Sequence, residues 1–163
     1  MSSIKSNTHQ LRIRNLQKCL PIEKVEGILI TNLTNIKYLT GFESSSAQLI
    51  ISEKGGVLIT DFRYIESARK TVRNLEIYQF GKKPKDEFRH LLTKYGIKRL
   101  GFESSNITFN KYHQLANWIG EKRLFPRLNT VEKLRMLKDD AEIEFIRQSV
   151  RLSEKGFRHL NKI

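Results

Sequence analysis

The chain predicts a three-layer αβα domain of the α/β class, built on a mixed parallel and antiparallel sheet and followed by a C-terminal linker helix. Three observations carry that fold class. Short β-branched apolar runs alternate with segments of helical periodicity along the 163 residues, the pattern of helices laid on both faces of a sheet. Residues 47–52 and 56–60 are apolar runs separated only by Glu53-Lys54-Gly55, a hairpin spacing that makes those two strands antiparallel. No Gly-x-Gly-x-x-Gly follows a strand, so a purely parallel dinucleotide-binding sheet is not expected.

The elements follow in order. Residues 1–10 are polar and expected to fray. Residues 10–20 place Leu11, Ile13, Leu16 and Leu20 on one broad helical face, and Pro21 is expected to end that helix. Residues 27–31 are short and β-branched enough for a buried strand. Asn32-Leu33-Thr34-Asn35 supplies cap residues for a short helix carrying Ile36, Tyr38 and Leu39, which Gly41 stops, with Phe42 at the turn. After the hairpin, Asp61 is expected to cap a helix over 61–73 whose first turn holds Phe62, Arg63 and Tyr64. Residues 75–80 form the next strand.

Phe88, Leu91, Leu92 and Tyr95 then recur at helical spacing over 85–95, and Gly96 closes that helix. Residues 98–103 read as a strand. Thr108 caps a helix over 109–119 with Phe109, Tyr112, Leu115, Trp118 and Ile119 on an apolar stripe. Pro126 marks 124–128 as an edge strand. From Asn129 the character changes. Residues 131–138 form a short connection, and Asp139 with Glu142 makes an acidic capping box. Ile143, Ile146, Val150, Phe157 and Leu160 recur at three- and four-residue steps, while Lys155, Arg158, His159 and Lys162 suit the far end of the helix dipole. The expected division is therefore 1–130 as the domain and 131–163 as linker and helix.

An apolar content of 39% argues for a real core, and the formal net charge of +13 is the unusual bulk property. Such a charge attracts nucleic acid or anionic surfaces. Here, however, the basic residues are interleaved with Glu and Asp in nearly every segment, and no nucleic-acid-binding motif stands out, so nucleic acid is not the expected partner. No run approaches the roughly 18 apolar residues of a membrane span. The N-terminal residues lack a signal peptide's apolar core, and the lone Cys19 forms no internal disulfide, so no membrane partner and a cytoplasmic location are expected. Among Leu16, Leu20 and Ile22, Cys19 reads as a packed small hydrophobe.

The sequence Asn35-x-x-Tyr38-Leu39-Thr40-Gly41-Phe42, two strands, then Thr60-Asp61-x-Arg63-Tyr64 and Ala68 resembles the N-terminal domain of the creatinase/prolidase/aminopeptidase P superfamily. The segment Leu134-Arg135-x-x-Lys138-x-x-x-Glu142-Ile143-x-x-Ile146-Arg147 is similar to the family's link into the first helix of its catalytic domain. The resemblance implies a ribonuclease H-like mixed-sheet fold. It also implies the non-catalytic N-terminal part of a metal-dependent Xaa-Pro peptidase, of prolidase or aminopeptidase P type. In that family two divalent metals (manganese, cobalt or zinc) are held in a separate C-terminal catalytic domain, which would be this chain's partner. A homodimer acting on proline-containing peptides is the implied assembly. The alternative is a stand-alone peptide- or protein-binding module of the same fold.

No active site is expected within these residues. His9, His90, His113 and His159 have no second histidine or cysteine at metal-ligand spacing, and Ser44-Ser45-Ser46 is a loop rather than a nucleophile elbow. By the resemblance, Tyr38, Phe42, Arg63 and Tyr64 are candidates for a pocket wall or interface, with Asn35, Gly41 and Asp61 as the structural motif. The competing reading leaves Tyr38 and Phe42 in the core, Asp61 as a helix cap, and Arg63 paired with Glu66 or Glu43.

Overall fold

The computed structural model describes residues 2–160, of which 2–7 are described by their backbone alone. Six strands form one sheet in the order β4-β3-β2-β1-β5-β6. They are β1 Gly27–Ile30, β2 Ala47–Ser52, β3 Gly55–Thr60, β4 Glu76–Tyr78, β5 Leu100–Glu103 and β6 Leu124–Arg127. β1 runs parallel to β5, β5 to β6 and β3 to β4, while β2 runs antiparallel to both β1 and β3. The hairpin turn is tighter than the sequence spacing predicts: Ser52 pairs with Gly55, leaving Glu53 and Lys54 as the two turn residues.

Helices cover both faces. The helices are α1 Ser2–Ile22, α2 Leu33–Thr40, α3 Ile65–Thr71, α4 Pro84–Lys94, α5 Phe109–Ile119, α6 Thr130–Met136 and α7 Asp140–Leu160. Side chains alternate across the pleat with period two. Ile28, Ile30, Leu49, Ile51 and Leu58 face a core completed by Leu16 and Leu20 of α1, Ile36 and Leu39 of α2, Ala68 of α3 and Val131 of α6. Leu29, Ile50, Val57, Leu100 and Phe102 face the other layer, made by Phe88, Leu91 and Leu92 of α4 and Leu115 and Ile119 of α5. The predicted three-layer mixed α/β architecture is what forms.

Several element boundaries differ from expectation, each for a local reason. α1 begins at Ser2 rather than near residue 10. Near its middle the helix is tied to α2: Arg12 Nη1 donates to the Tyr38 carbonyl at 3.0 Å, and His9 Nδ1 lies 3.1 Å from the same oxygen. Pro21 sits inside the last turn instead of ending the helix before it. Its missing N–H removes a single bond there, while the Glu23 N–H still reaches the Cys19 carbonyl at 2.9 Å. Phe109, predicted on the buried stripe of α5, is 75% exposed. It stands at the helix's first position and stacks edge-on with His113, four residues on, at 4.2 Å.

The C-terminal elements divide into a packed part and an exposed part. α6 is held to the body through Val131, which is fully buried. The predicted acidic capping box closes the start of α7: the Glu142 N–H donates to Asp139 Oδ1 at 2.9 Å, and the Asp139 N–H donates to Glu142 Oε2 at 3.0 Å. Arg12 ties that box to α1, with its Nη2 2.7 Å from Asp139 Oδ2 and 3.2 Å from Glu142 Oε1. Beyond that tether no residue of α7 is buried, and Phe145, Leu152 and Phe157 stand open. Lys162 lies outside the described residues. Among the described residues no helix is long and apolar enough to cross a membrane.

Candidate functional site

β1, β3, β4, β5 and β6 all end on one edge of the sheet, and β2, running the other way, begins there. In open α/β sheets the crevice beyond the strands' carboxyl ends is the usual ligand position. Two clefts open there on either side of Ser46-Ala47-Gln48. One, of about 220 Å³, is bounded by Ile59, Asp61, Phe62 and Phe80. The other, of about 380 Å³, is bounded by Thr31, Asn106, Thr108 and Lys111.

Asp61 does not cap α3, contrary to the sequence expectation. Its carboxylate closes the turn that precedes the helix. Oδ1 accepts from the Arg63 N–H at 3.0 Å and from Arg63 Nε at 3.0 Å, and Oδ2 accepts from Arg63 Nη2 at 2.8 Å. The helix starts only after Tyr64, which has no side-chain cap bond. Arg63 therefore pairs with Asp61, and not with Glu66 or Glu43. Those glutamates are taken by lysines, Glu66 by Lys70 at 3.0 Å and Glu43 by Lys37. The Arg63 side-chain hydrogen bonds hold the Asp61 carboxyl down to about 2.

A depressed folded value stabilises the fold above the unfolded carboxylate pKa, and that contribution is lost as pH falls through about 2. A carboxyl-detected NMR titration is expected to give Asp61 a midpoint near 2 in the native chain and a higher one in Arg63→Ala. A native midpoint at the ordinary value would refute the bidentate pair.

The remaining sequence candidates fall into three places. Tyr64 joins the Asp61 corner, its Oη 2.9 Å from Ser45 Oγ and its ring 5.2 Å from the Arg63 guanidinium carbon. Phe42 lies beneath it, edge-on at 6.3 Å, but is only 1% exposed. The apolar surface expected at Phe42 is thus absent, because the core encloses the ring. Gly41 adopts the left-handed conformation (φ 74°) that ends α2, its N–H donating to the Lys37 carbonyl at 2.8 Å. Tyr38 stands apart from this corner, in a cleft of about 680 Å³ bounded by His9, Arg12, Arg135 and Glu142. The Arg12 guanidinium lies 4.1 Å over its ring centre.

Asn35 is the centre of a buried polar network between α2, β5 and α6. Its Nδ2 donates to Glu103 Oε1 at 2.6 Å and to Glu132 Oε1 at 2.7 Å, and its Oδ1 accepts from Arg135 Nη1 at 2.9 Å. Glu103, 5% exposed, also accepts the Thr31 and Asn32 N–H groups at 2.7 and 2.8 Å. Burial pushes the Glu103 carboxyl upward, partly offset by those donors. Sequence reading found Asn35 but missed its partners. The signal was present: Glu103 ends an otherwise apolar strand, and a carboxylate there must collect donors. Gln48 was missed as well, although a polar residue on a strand covered on both faces is itself informative.

Among the described residues no group of three or more His, Cys, Asp or Glu could hold a metal ion. These side chains do not fit a two-metal centre. Cys19 donates to the Asn15 carbonyl at 3.3 Å, and burial raises its pKa, so it is a poor nucleophile. What the arrangement offers is binding and positioning.

The fold and this strand-end site define a three-layer α/β domain with a mixed sheet. The chain belongs to the creatinase/prolidase N-terminal domain family, whose model matches residues 12–137. It is 36% identical over 149 residues to the uncharacterized peptidase YqhT of Bacillus subtilis, covering 91% of this chain and 41% of that protein. It is 30% identical over 152 residues to a putative Xaa-Pro aminopeptidase of Mycoplasma pneumoniae, covering 91% and 41%. Among solved structures, an Xaa-Pro dipeptidase from Bacillus anthracis superposes with a TM-score of 0.85 at 31% identity, over 95% of this chain and 44% of that one. The N-terminal domain of the cytoplasmic peptidase PepQ from Mycobacterium tuberculosis superposes with a TM-score of 0.67 at 29% identity, over 76% of this chain and 98% of that one. The chain thus spans about two fifths of the length of these curated relatives.

Proposed function

We propose that this chain is the non-catalytic N-terminal domain of a metal-dependent Xaa-Pro peptidase, of prolidase or aminopeptidase P type. It acts with its own C-terminal catalytic domain in a cytoplasmic homodimer on proline-containing peptides. Two divalent metals, manganese, cobalt or zinc, belong to the catalytic domain in this reading. The single observation that carries it is the 31% identity and close superposition with the Bacillus anthracis Xaa-Pro dipeptidase across nearly all of this chain and 44% of that one.

Two features give the domain its part. The open apolar side of α7, with Phe145, Ile146 and Val150 exposed, offers the kind of surface that another domain covers. The corner formed by Asp61, Arg63 and Tyr64, and Tyr38 in its own cleft, are the candidate walls of a peptide site. The residues 1–130 act as the domain in this reading, and 131–163 as the linker and the helix leading to catalysis.

The same exposed face of α7 also suits the second reading, a stand-alone peptide- or protein-binding and assembly module without peptidase activity. One experiment separates the two. The chain alone, and the chain continued along its reading frame past Ile163, are assayed with manganese, cobalt or zinc against Xaa-Pro dipeptides and Xaa-Pro-Yaa peptides. Hydrolysis is expected from the continued protein and none from the chain alone. Hydrolysis by the chain alone would overturn the non-catalytic assignment. An inactive continuation, or none, would leave the assembly module in its place.

A further inference from the structure

α6 and α7 are held to the domain in different ways. Val131 of α6 is fully buried, and Glu132 and Arg135 both bond to the buried Asn35 side chain. After Met136 the backbone turns extended at Leu137 (φ −86°, ψ 112°), and α7 starts at Asp140. Met136 and Leu137 stand open to solvent, so the joint is not fixed by a packed core. No residue of α7 is buried.

One side chain bridges that joint. Arg12 of α1 donates from Nη1 to the Tyr38 carbonyl on α2, and its Nη2 meets both Asp139 and Glu142. The Tyr38 ring lies 4.1 Å beneath the guanidinium carbon and holds its plane. Asp139 and Glu142 are also the two acids that cap α7. The same pair therefore starts the helix and fastens it. A guanidinium suits the task, because its fixed fork of donors can meet two elements at once. The 21 residues of α7, at about 1.5 Å each, make an arm of about 30 Å. A tilt of about 20° at the first turn would carry the far end about 10 Å.

We propose that Arg12 is a positioning residue that aims α7. Paired with Asp139 and Glu142 it holds the arm in one direction, and unpaired it frees a hinge at residues 136–139. That stretch lies between a docked helix and an undocked one, where backbone rotation disturbs no core. Loss of the pair leaves the cap in place, so α7 stays helical while it swings. What α7 leads to is taken from the peptidase reading. The aiming is tested on this chain without hydrolysis, so either can fail alone.

The measurement is the distance distribution between two spin labels, on Lys122→Cys in the domain and Lys155→Cys on α7. The background is Cys19→Ser, and labelled chain is diluted into unlabelled chain. The native pairing is expected to give one narrow distribution, and Arg12→Gln to broaden it about twofold. Asp139→Asn with Glu142→Gln is expected to broaden it equally, because Asn and Gln keep the capping bonds and lose only the charges. Combining all three substitutions is expected to add nothing, and circular dichroism to show unchanged helix content throughout. The α7-side pair reads the contact without touching α1. A distribution already broad in the native chain, or unbroadened in the variants, would overturn the proposal. So would further broadening in the combined variant, since Arg12 and the acids would then act separately. Loss of helix content in the Asn and Gln variant would also overturn it, because the charges would then sustain the helix rather than aim it.

Discussion

Phe42→Ala is expected to lower the unfolding free energy of the chain by about 3–5 kcal/mol, the range for deleting a fully buried phenyl ring. The ring is 1% exposed and belongs to the core shared by α1, α2, α3 and the sheet. It also supports Tyr64, which meets it edge-on at 6.3 Å, so the Asp61–Arg63 corner loses its floor together with the core. Against a typical domain stability of about 5–15 kcal/mol this is a large share, and urea unfolding followed by circular dichroism reads it directly. A loss under about 1 kcal/mol would mean that Phe42 is a surface residue after all.

Glu103→Ala carries the second large effect, a loss of about 3 kcal/mol, because it strips a buried carboxylate from groups that have no other acceptor. The Thr31 and Asn32 N–H groups would lose their partner, and Asn35 would retain only Glu132 and Arg135. Its pH dependence has a definite sign. Burial raises the folded pKa of Glu103, so its titration favours the fold fully below the unfolded carboxylate value, and that contribution is lost as pH rises through the raised one. The gap between native chain and variant is therefore expected to widen as pH falls from neutrality into the carboxylate range. Equilibrium unfolding at two pH values checks this, and a gap that narrows would contradict the buried, desolvated state of Glu103. Asp61 behaves oppositely, since its folded value is depressed.

The fold was legible because its apolar runs, helical stripes and turn signals are each written in neighbouring residues. The β2–β3 hairpin, the Thr108 and Asp139 caps and the glycine stop at Gly41 are each fixed by residues adjacent in sequence. What escaped sequence reading depends on contacts across long separations. His9 and Arg12 of α1 meet the Tyr38 carbonyl, close to thirty residues further along the chain. Asp61 fails to cap because the helix starts only after Tyr64, and its carboxylate closes the preceding turn onto the Arg63 N–H and guanidinium. The candidate site was legible only in part. The Asp61–Tyr64 corner is written as a local motif, whereas the Glu103–Asn35–Glu132–Arg135 network joins three elements whose meeting no local pattern reveals.

The reversed direction of β2 has a consequence for how this edge can change over time. Every other strand ends at that edge and feeds a connection away from it, but residues 41–46 bring the chain there directly from α2. The loop that forms the rim is therefore bounded by two elements already fixed in the core, and no crossover helix depends on its length. Beyond the capping Gly41 and the buried Phe42, it can lengthen, shorten or exchange residues while the layers behind it keep their register. Selectivity at the mouth and stability of the body are, to that extent, separately heritable.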